Sequence, residues 1–266
     1  MINTELNCFH CDSIIHPWGR DSEFVYCPDC ALVFRFPMPS DAQIDKIYRH
    51  RYSKKNISTN ATNMNSPEYS LSNHVKLIRT WGKPGEKVLD FGAGTGLFTS
   101  YLKMEGFLVE GVEFSKKAID YAMKRYGLKF FGSLNELKAE TAQLFDIITM
   151  IEVIEHLKNP YYILERLYPI LKPGGTIYIS TPNRNGINAR LNRNEWREAK
   201  KPFHLVLFNK LSLKKMLADT GFIFIRQIRF SPLTSPLMKN IVLHRILQAL
   251  GLFGGLRVVA IKPMSY

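Results

Sequence analysis

Cysteine is scarce in this chain and confined to one end: four residues in 266, none beyond position 30. That excludes a disulfide-dense secreted scaffold. No apolar run reaches 18 residues, which excludes a transmembrane helix. The opening Met-Ile-Asn-Thr-Glu-Leu-Asn is polar and acidic, unlike a secretory signal, so a cytoplasmic location is expected. No internal repeat is visible. Acid is in short supply, with 23 Asp and Glu against 36 Lys and Arg, a net charge of +13. The surplus points to an anionic partner: nucleic acid, a nucleotide-linked substrate or an acidic membrane surface. Apolar content of 45% is ample for a sizeable core.

The four cysteines form two knuckles, Cys8-x2-Cys11 and Cys27-x2-Cys30, separated by 15 residues. This is the spacing of a tetrahedral zinc ribbon. So short a segment cannot bury enough apolar surface to fold alone, and four thiolates on one Zn²⁺ supply the missing stability. Two disulfides are the alternative, disfavoured in a reducing compartment. A closed Cys₄ site leaves no open position for chemistry, so its role is structural. His10 and His16 read as ordinary loop residues.

The richest stretch is Lys87-Val-Leu-Asp-Phe-Gly-Ala-Gly-Thr-Gly96. A short apolar strand ends in Asp90. Gly92, Gly94 and Gly96 then let the backbone turn sharply and approach a ligand, and a helical pattern starts at Leu97. The next strand, Phe107 to Val112, ends at Glu113, about 20 residues on, where a carboxylate reaches both ribose hydroxyls. The G-x-G-x-G spacing differs from the G-x-G-x-x-G of dinucleotide sites. It suits a ligand with a ribose, a cationic amino-acid end and no phosphate. S-adenosylmethionine (SAM) has those features.

Alternating strands and helices continue to the end, which predicts a doubly wound, mainly parallel α/β sheet of seven strands. Helices are expected over 69–81, 115–126 and 211–219. Another runs from Pro160 to Leu171, closed by Lys172-Pro-Gly-Gly175, with a strand at 176–180 after it. Residues 53–68 read as a polar linker or lid. The expected division is a ribbon at 1–40, a helical and linker lid region at 41–86, and a main domain at 87–266 with an insertion at 184–203.

VLDFGAGTG followed by VEGVEFS resembles the class I SAM-dependent methyltransferases, over roughly Lys87 to Asn183. The resemblance implies a Rossmann-like fold and a set of cofactor contacts. Asp90 and the turn Gly92, Ala93, Gly94 and Gly96 hold the methionine end. Glu113, with Phe114 beside it, takes the ribose. Ser133 and Leu134 flank the adenine, with Ser133 where many relatives carry an acid, and Met150 and Ile151 lie close to the cofactor. The ribbon and its continuation, through Phe34, Phe36, Ile44 and Tyr48, are similar to a bacterial methyltransferase group that acts on sugars and cell-surface glycan precursors.

Methyl transfer from a sulfonium needs in-line placement and removal of the acceptor's proton. Glu152-Val-Ile-Glu-His156 is the catalytic candidate. On a helix Glu152, Glu155 and His156 share one face. With His204 they form either a divalent metal site, a metal-free general base or a structural cap. The E-x-x-E-H element resembles that of the small-RNA 2′-O-methyltransferases and quinone-pathway O-methyltransferases, some of which use Mg²⁺. Thr181-Pro-Asn183 resembles a substrate-side loop. The insertion carries Arg184, Arg190, Arg193, Arg197, Lys200 and Lys201, either a solvated face or a grip on an acceptor phosphate. Residues 232–256 are amphipathic, fit for a core or homodimer contact or a membrane surface.

Together these imply SAM-dependent O-methylation of a small anionic acceptor, a nucleotide- or lipid-linked sugar. The rivals are an RNA methyltransferase and a non-enzymatic SAM- and zinc-binding module.

Overall fold

The computed structural model describes residues 7–19, 22–51, 67–140, 144–192, 195–228 and 254–264. Most of the 53–68 linker and of the amphipathic 232–256 segment therefore lies outside the described residues, as does Arg193. Two compact units are present. One comprises Met1–Ser40, Glu152–Glu165 and Ile179–Ile261; the other comprises Asp41–Ile151, Arg166–Tyr178 and Lys262–Tyr266. They are called below the ribbon unit and the glycine-turn unit.

Eleven strands are assigned among the described residues: β1 (His16–Pro17), β2 (Phe24–Cys27), β3 (Leu32–Arg35), β4 (Lys87–Phe91), β5 (Leu108–Val112), β6 (Phe130–Phe131), β7 (Phe145–Ile151), β8 (Leu171–Pro182), β9 (Val206–Leu207), β10 (Ile223–Gln227) and β11 (Gly255–Ile261). The helices are α1 (Asp41–Arg51), α2 (Pro67–Ile78), α3 (Leu97–Met104), α4 (Lys116–Tyr126), α5 (Leu134–Glu140), α6 (Pro160–Leu167), α7 (Ile187–Asn192) and α8 (Lys210–Asp219). A seven-stranded sheet has the order β10-β11-β8-β7-β4-β5-β6. β4 pairs in parallel with both β5 and β7, and β5 with β6, while β10 and β11 are antiparallel. This is the expected mainly parallel α/β sheet.

In the glycine-turn unit, Val88, Leu89, Ile148 and Met150 are fully buried. Near-continuous apolar runs are what parallel strands covered on both faces require. α4 ends at Gly127, left-handed at φ 61°, as the sequence signals. One expectation fails here. Lys172-Pro-Gly-Gly175 does not stop a helix; α6 ends at Leu167 and the four residues lie in β8. The reason is pairing: Gly174 N–H donates to the Lys262 carbonyl at 2.8 Å, and Lys262 N–H returns to Gly175 at 2.9 Å.

The ribbon unit holds a second sheet, in the order β1-β2-β3-β9, with every pairing antiparallel. Its fourth strand comes from more than 170 residues downstream of the third. Phe24, Val33 and Leu207 share a core with Ala189, Trp196 and Ala199. The ribbon thus obtains its missing apolar surface from the 184–203 insertion.

Candidate functional site

In the glycine-turn unit, Gly92, Gly94 and Gly96 all have positive φ, at 79°, 55° and 83°. A side chain at any of them is strained. Gly96 has a packing reason as well, since a Cβ there meets Ala122 at 2.9 Å and Phe130 at 3.1 Å. Gly92 and Ala93 N–H both donate to the Val112 carbonyl, which seats the turn on the end of β5. Ala93 is buried.

Glu113 follows directly. It is 2% exposed, and its carboxylate accepts the backbone N–H of Gly94 at 2.9 Å and of Ser115 at 2.8 Å. Each carboxylate oxygen can accept a second bond, so this placement fits a ribose diol. Asp90 is 3% exposed and accepts hydroxyl donors from Thr99 (2.6 Å) and Thr149 (3.0 Å). Burial pushes its carboxyl up to about 6 despite those two bonds. Met150 and Leu134 are buried, Ile151 half-buried, and Phe114 is 59% exposed.

Ser133 has a local task. Its Oγ accepts the Glu136 N–H at 3.2 Å, and the Glu136 carboxylate accepts the Gly132 N–H at 2.7 Å. The two bonds close the start of α5; the letters Ser133-Leu-Asn-Glu136 are those of a capping box, but the carboxylate takes the N–H of Gly132 rather than that of Ser133.

The ribbon unit holds both side-chain clusters with metal-ligand character among the described residues. The sulfurs of Cys8, Cys11, Cys27 and Cys30 lie within 4.8 Å of one another, with Cys8–Cys30 at 3.6 Å and Cys11–Cys27 at 3.3 Å. Four sulfurs at tetrahedral Zn–S distance stand about 3.8 Å apart, so the set fits Zn²⁺. Shared hydrogen bonds pull the Cys8 thiol down to about 5, while the bond to Cys8 and burial hold Cys30 up and burial raises Cys27. Such crowding without a cation splits the thiols into thiolate and thiol; a dication favours all four as thiolates. His10 lies in a turn, as expected, and is tied from there to α8: its Nε2 lies 2.9 Å from Asp219, and its side chain is 3% exposed.

The second cluster is Glu155, His156 and His204, whose donor atoms also lie within 4.8 Å of one another. Glu152 stands outside it. Its φ is +53°, so it cannot share a helical face with the others, and only Ile154–His156 form a single 3₁₀ turn. Its N–H donates to the Ser180 carbonyl at 2.8 Å and its carboxylate accepts from Ser180 Oγ at 2.9 Å. Strand β8 therefore sets its conformation. Glu155 is 1% exposed and accepts from Thr181 Oγ1 at 2.9 Å. His156 Nδ1 lies 2.8 Å from the Phe203 carbonyl. A carbonyl only accepts, so Nδ1 carries a proton, and in the neutral ring Nε2 is the basic atom. Nε2 is 3.8 Å from Glu155 Oε1, and His204 Nδ1 is 3.7 Å from Glu198. Two imidazoles and one carboxylate suit a borderline first-row ion better than Mg²⁺, which prefers six oxygens.

The insertion's cations are partly committed. Arg197 and Lys201 pair with Glu198, and Lys200 with Glu195. Arg184 donates to the Ala31 carbonyl at 2.8 Å.

The chain is 36% identical over 106 residues to a ubiquinone biosynthesis O-methyltransferase of Coxiella burnetii, covering 38% of this chain and 45% of that protein. It thus spans about half the length of the curated relatives it matches. Its fold is shared with Burkholderia thailandensis 1,6-didemethyltoxoflavin-N1-methyltransferase, solved with 1,6-didemethyltoxoflavin and S-adenosylhomocysteine (TM-score 0.58, 16% identity, 91% of this chain and 100% of that one). It is shared as well with Haemonchus contortus phosphoethanolamine N-methyltransferase 2 in complex with SAM (TM-score 0.60, 21% identity, 87% of this chain and 62% of that one). The profile of a methyltransferase-domain family matches residues 64–227, well over half of the chain. With the glycine turn and the sheet order, that match makes the chain a member of the methyltransferase-domain family, with the fold of the class I SAM-dependent enzymes.

Proposed function

We propose that the protein transfers the methyl group of SAM to an oxygen of a small anionic acceptor, and that the acceptor is a nucleotide- or lipid-linked sugar. The observation that carries the chemistry is the 2.8 Å contact between His156 Nδ1 and the Phe203 carbonyl. With Nδ1–H so engaged, Nε2 of the neutral ring is the proton acceptor. In the proposed step the acceptor oxygen attacks the methyl carbon, its proton passes to Nε2, and the C–S bond breaks to release neutral S-adenosylhomocysteine. Glu155, whose Oε1 lies 3.8 Å from Nε2, stabilises the imidazolium that results. Glu113, Asp90 and the glycine turn hold the cofactor. The cysteine ribbon at 1–40 is structural, 41–86 acts as a lid region, and 87–266 carries the transfer chemistry with acceptor contacts from the 184–203 insertion.

A second acceptor class, an aromatic hydroxyl, is favoured by one observation: the curated relatives are named as O-methyltransferases of ubiquinone biosynthesis. The test is methyl transfer from labelled SAM to sugar nucleotides, lipid-linked sugars and catechols in parallel. An ether product that disappears in His156→Ala supports the reading. Labelled product on nitrogen or carbon, or activity undiminished in that variant, overturns it.

A further inference from the structure

The ribbon meets the proton-acceptor cluster through one buried cation. Arg35, the last residue of β3, is 7% exposed. Its Nε donates to the His204 carbonyl at 3.0 Å, and its Nη2 donates to the carbonyls of Ala199 (3.0 Å) and Lys201 (3.1 Å). Its remaining nitrogen pairs with Glu23 on the ribbon side. The backbone continues the clamp. Arg35 N–H donates to Leu205, and Val33 and Phe34 pair with Leu207 and Val206. On the far side of the same segment, Leu205 N–H donates to the Glu155 carbonyl at 2.8 Å, and the Phe203 carbonyl fixes His156. The stretch from Ala199 to Leu205 is thus held between β3 and the Glu155–His156 turn.

We propose that Arg35 is a positioning residue for the His156–His204 cluster, and that the cysteine ribbon thereby sets the geometry of the acceptor-side histidines. The proposal rests on the reading of that cluster as the proton acceptor, but its test needs no acceptor. A buried guanidinium satisfies three carbonyls at once. Truncating it leaves those carbonyls without donors, and the segment relaxes toward water. A lysine reaches with one compact charge and replaces the fork only in part. Other contacts also anchor the ribbon: His10 on Asp219, Lys215 Nζ on the Asp29 carbonyl at 2.9 Å, and Arg184 on the Ala31 carbonyl at 2.8 Å. A loss at Arg35 is therefore felt at the histidines before the ribbon detaches.

The experiment is diethyl pyrocarbonate labelling of the full-length protein, read per histidine by mass spectrometry, in wild type, Arg35→Ala and Arg35→Lys. Zinc content and S-adenosylhomocysteine affinity are measured on the same samples. Expected is faster labelling of His156 and His204 in Arg35→Ala, by roughly tenfold or more, with a smaller rise in Arg35→Lys. Zinc content and S-adenosylhomocysteine affinity stay at the wild-type level. His74, buried in the glycine-turn unit against the Tyr178 hydroxyl at 2.6 Å, reports global unfolding and should stay protected. Unchanged labelling of His156 and His204 overturns the proposal. So does a parallel rise at His74 in both variants, which makes Arg35 a residue of general stability. Normal Arg35 behaviour with an inactive His156→Ala would sink the positioning role and leave the proton-acceptor reading intact.

Discussion

The carboxylate of Glu113 accepts the backbone N–H of Gly94 at 2.9 Å, so the acid at the end of one strand braces the turn at the end of its neighbour. The same group is proposed to hold the ribose. Glu113→Ala then removes the ligand contact and the brace together. Bonds to a charged acceptor are worth about 1.5–3 kcal/mol each. S-adenosylhomocysteine affinity should fall at least tenfold by calorimetry. Glu113→Gln should lose less, because one amide oxygen still accepts. An alanine variant that binds as the wild type does would remove Glu113 from the site.

Asp90 makes stability depend on pH. Its folded-state pKa is raised to about 6 by burial, above the ordinary carboxylate value. The folded protein therefore binds more protons than the unfolded chain between about pH 4 and 6, and this group's contribution to stability falls as pH rises through that window. At neutral pH the cost is on the order of 2–3 kcal/mol. Asp90→Asn keeps the shape, and the hydroxyls of Thr99 and Thr149 can rotate to suit an amide. The variant should gain stability at pH 7 over wild type and show a shallower slope between pH 4 and 6 in urea titrations. A wild-type slope in the variant would show that Asp90 does not titrate there.

Much of this was legible in the letters. A glycine turn needs positive φ at named positions, and Gly92, Gly94 and Gly96 have it. The strand-end acid and the Cys-x2-Cys pairs are local patterns too, and so is the Ser133–Glu136 cap, which went unread. What escaped depends on distant partners. Glu152 leaves the helical face because β8 takes its N–H and its carboxylate. Lys172-Pro-Gly-Gly175 became strand because Lys262 pairs with it. Nothing near Val33 announces that Leu207 will lie beside it, or that Trp196 will fill the ribbon's core. His10 looked idle because its partner, Asp219, is 209 residues away.

Zinc should be present at near one ion per chain by elemental analysis, on Cys8, Cys11, Cys27 and Cys30. Its removal should be felt well beyond the knuckles, since β3 is paired to β9 and the insertion packs on β2 and β3. Hydrogen exchange is the direct probe. Chelation should expose amides around Val33 and Leu207 while Ile148, fully buried in the glycine-turn unit, stays protected. Protection retained at Leu207 in zinc-free protein would mean that the ribbon folds without metal.

The charge of +13 allows either a small anion or a polyanion as acceptor, and salt separates them. An RNA that neutralises several cations releases condensed counterions, so its affinity falls by orders of magnitude between about 50 and 200 mM salt. A sugar nucleotide brings one or two phosphates, whose screening is mild over that range. Among the insertion's cations, Arg197, Lys200 and Lys201 already face Glu195 and Glu198, which lowers the field that a long anion would meet. Arg190 is spent in part on the Asn185 carbonyl, at 3.0 Å. We therefore expect acceptor KM to rise by less than about tenfold across this range. Arg190→Ala together with Arg197→Ala should raise acceptor KM and leave S-adenosylhomocysteine affinity unchanged, because the cofactor contacts are proposed to come from Glu113, Asp90 and the glycine turn instead. A drop of several orders of magnitude with salt would instead identify nucleic acid as the acceptor. A normal KM in the double variant would show that these arginines form only a solvated face.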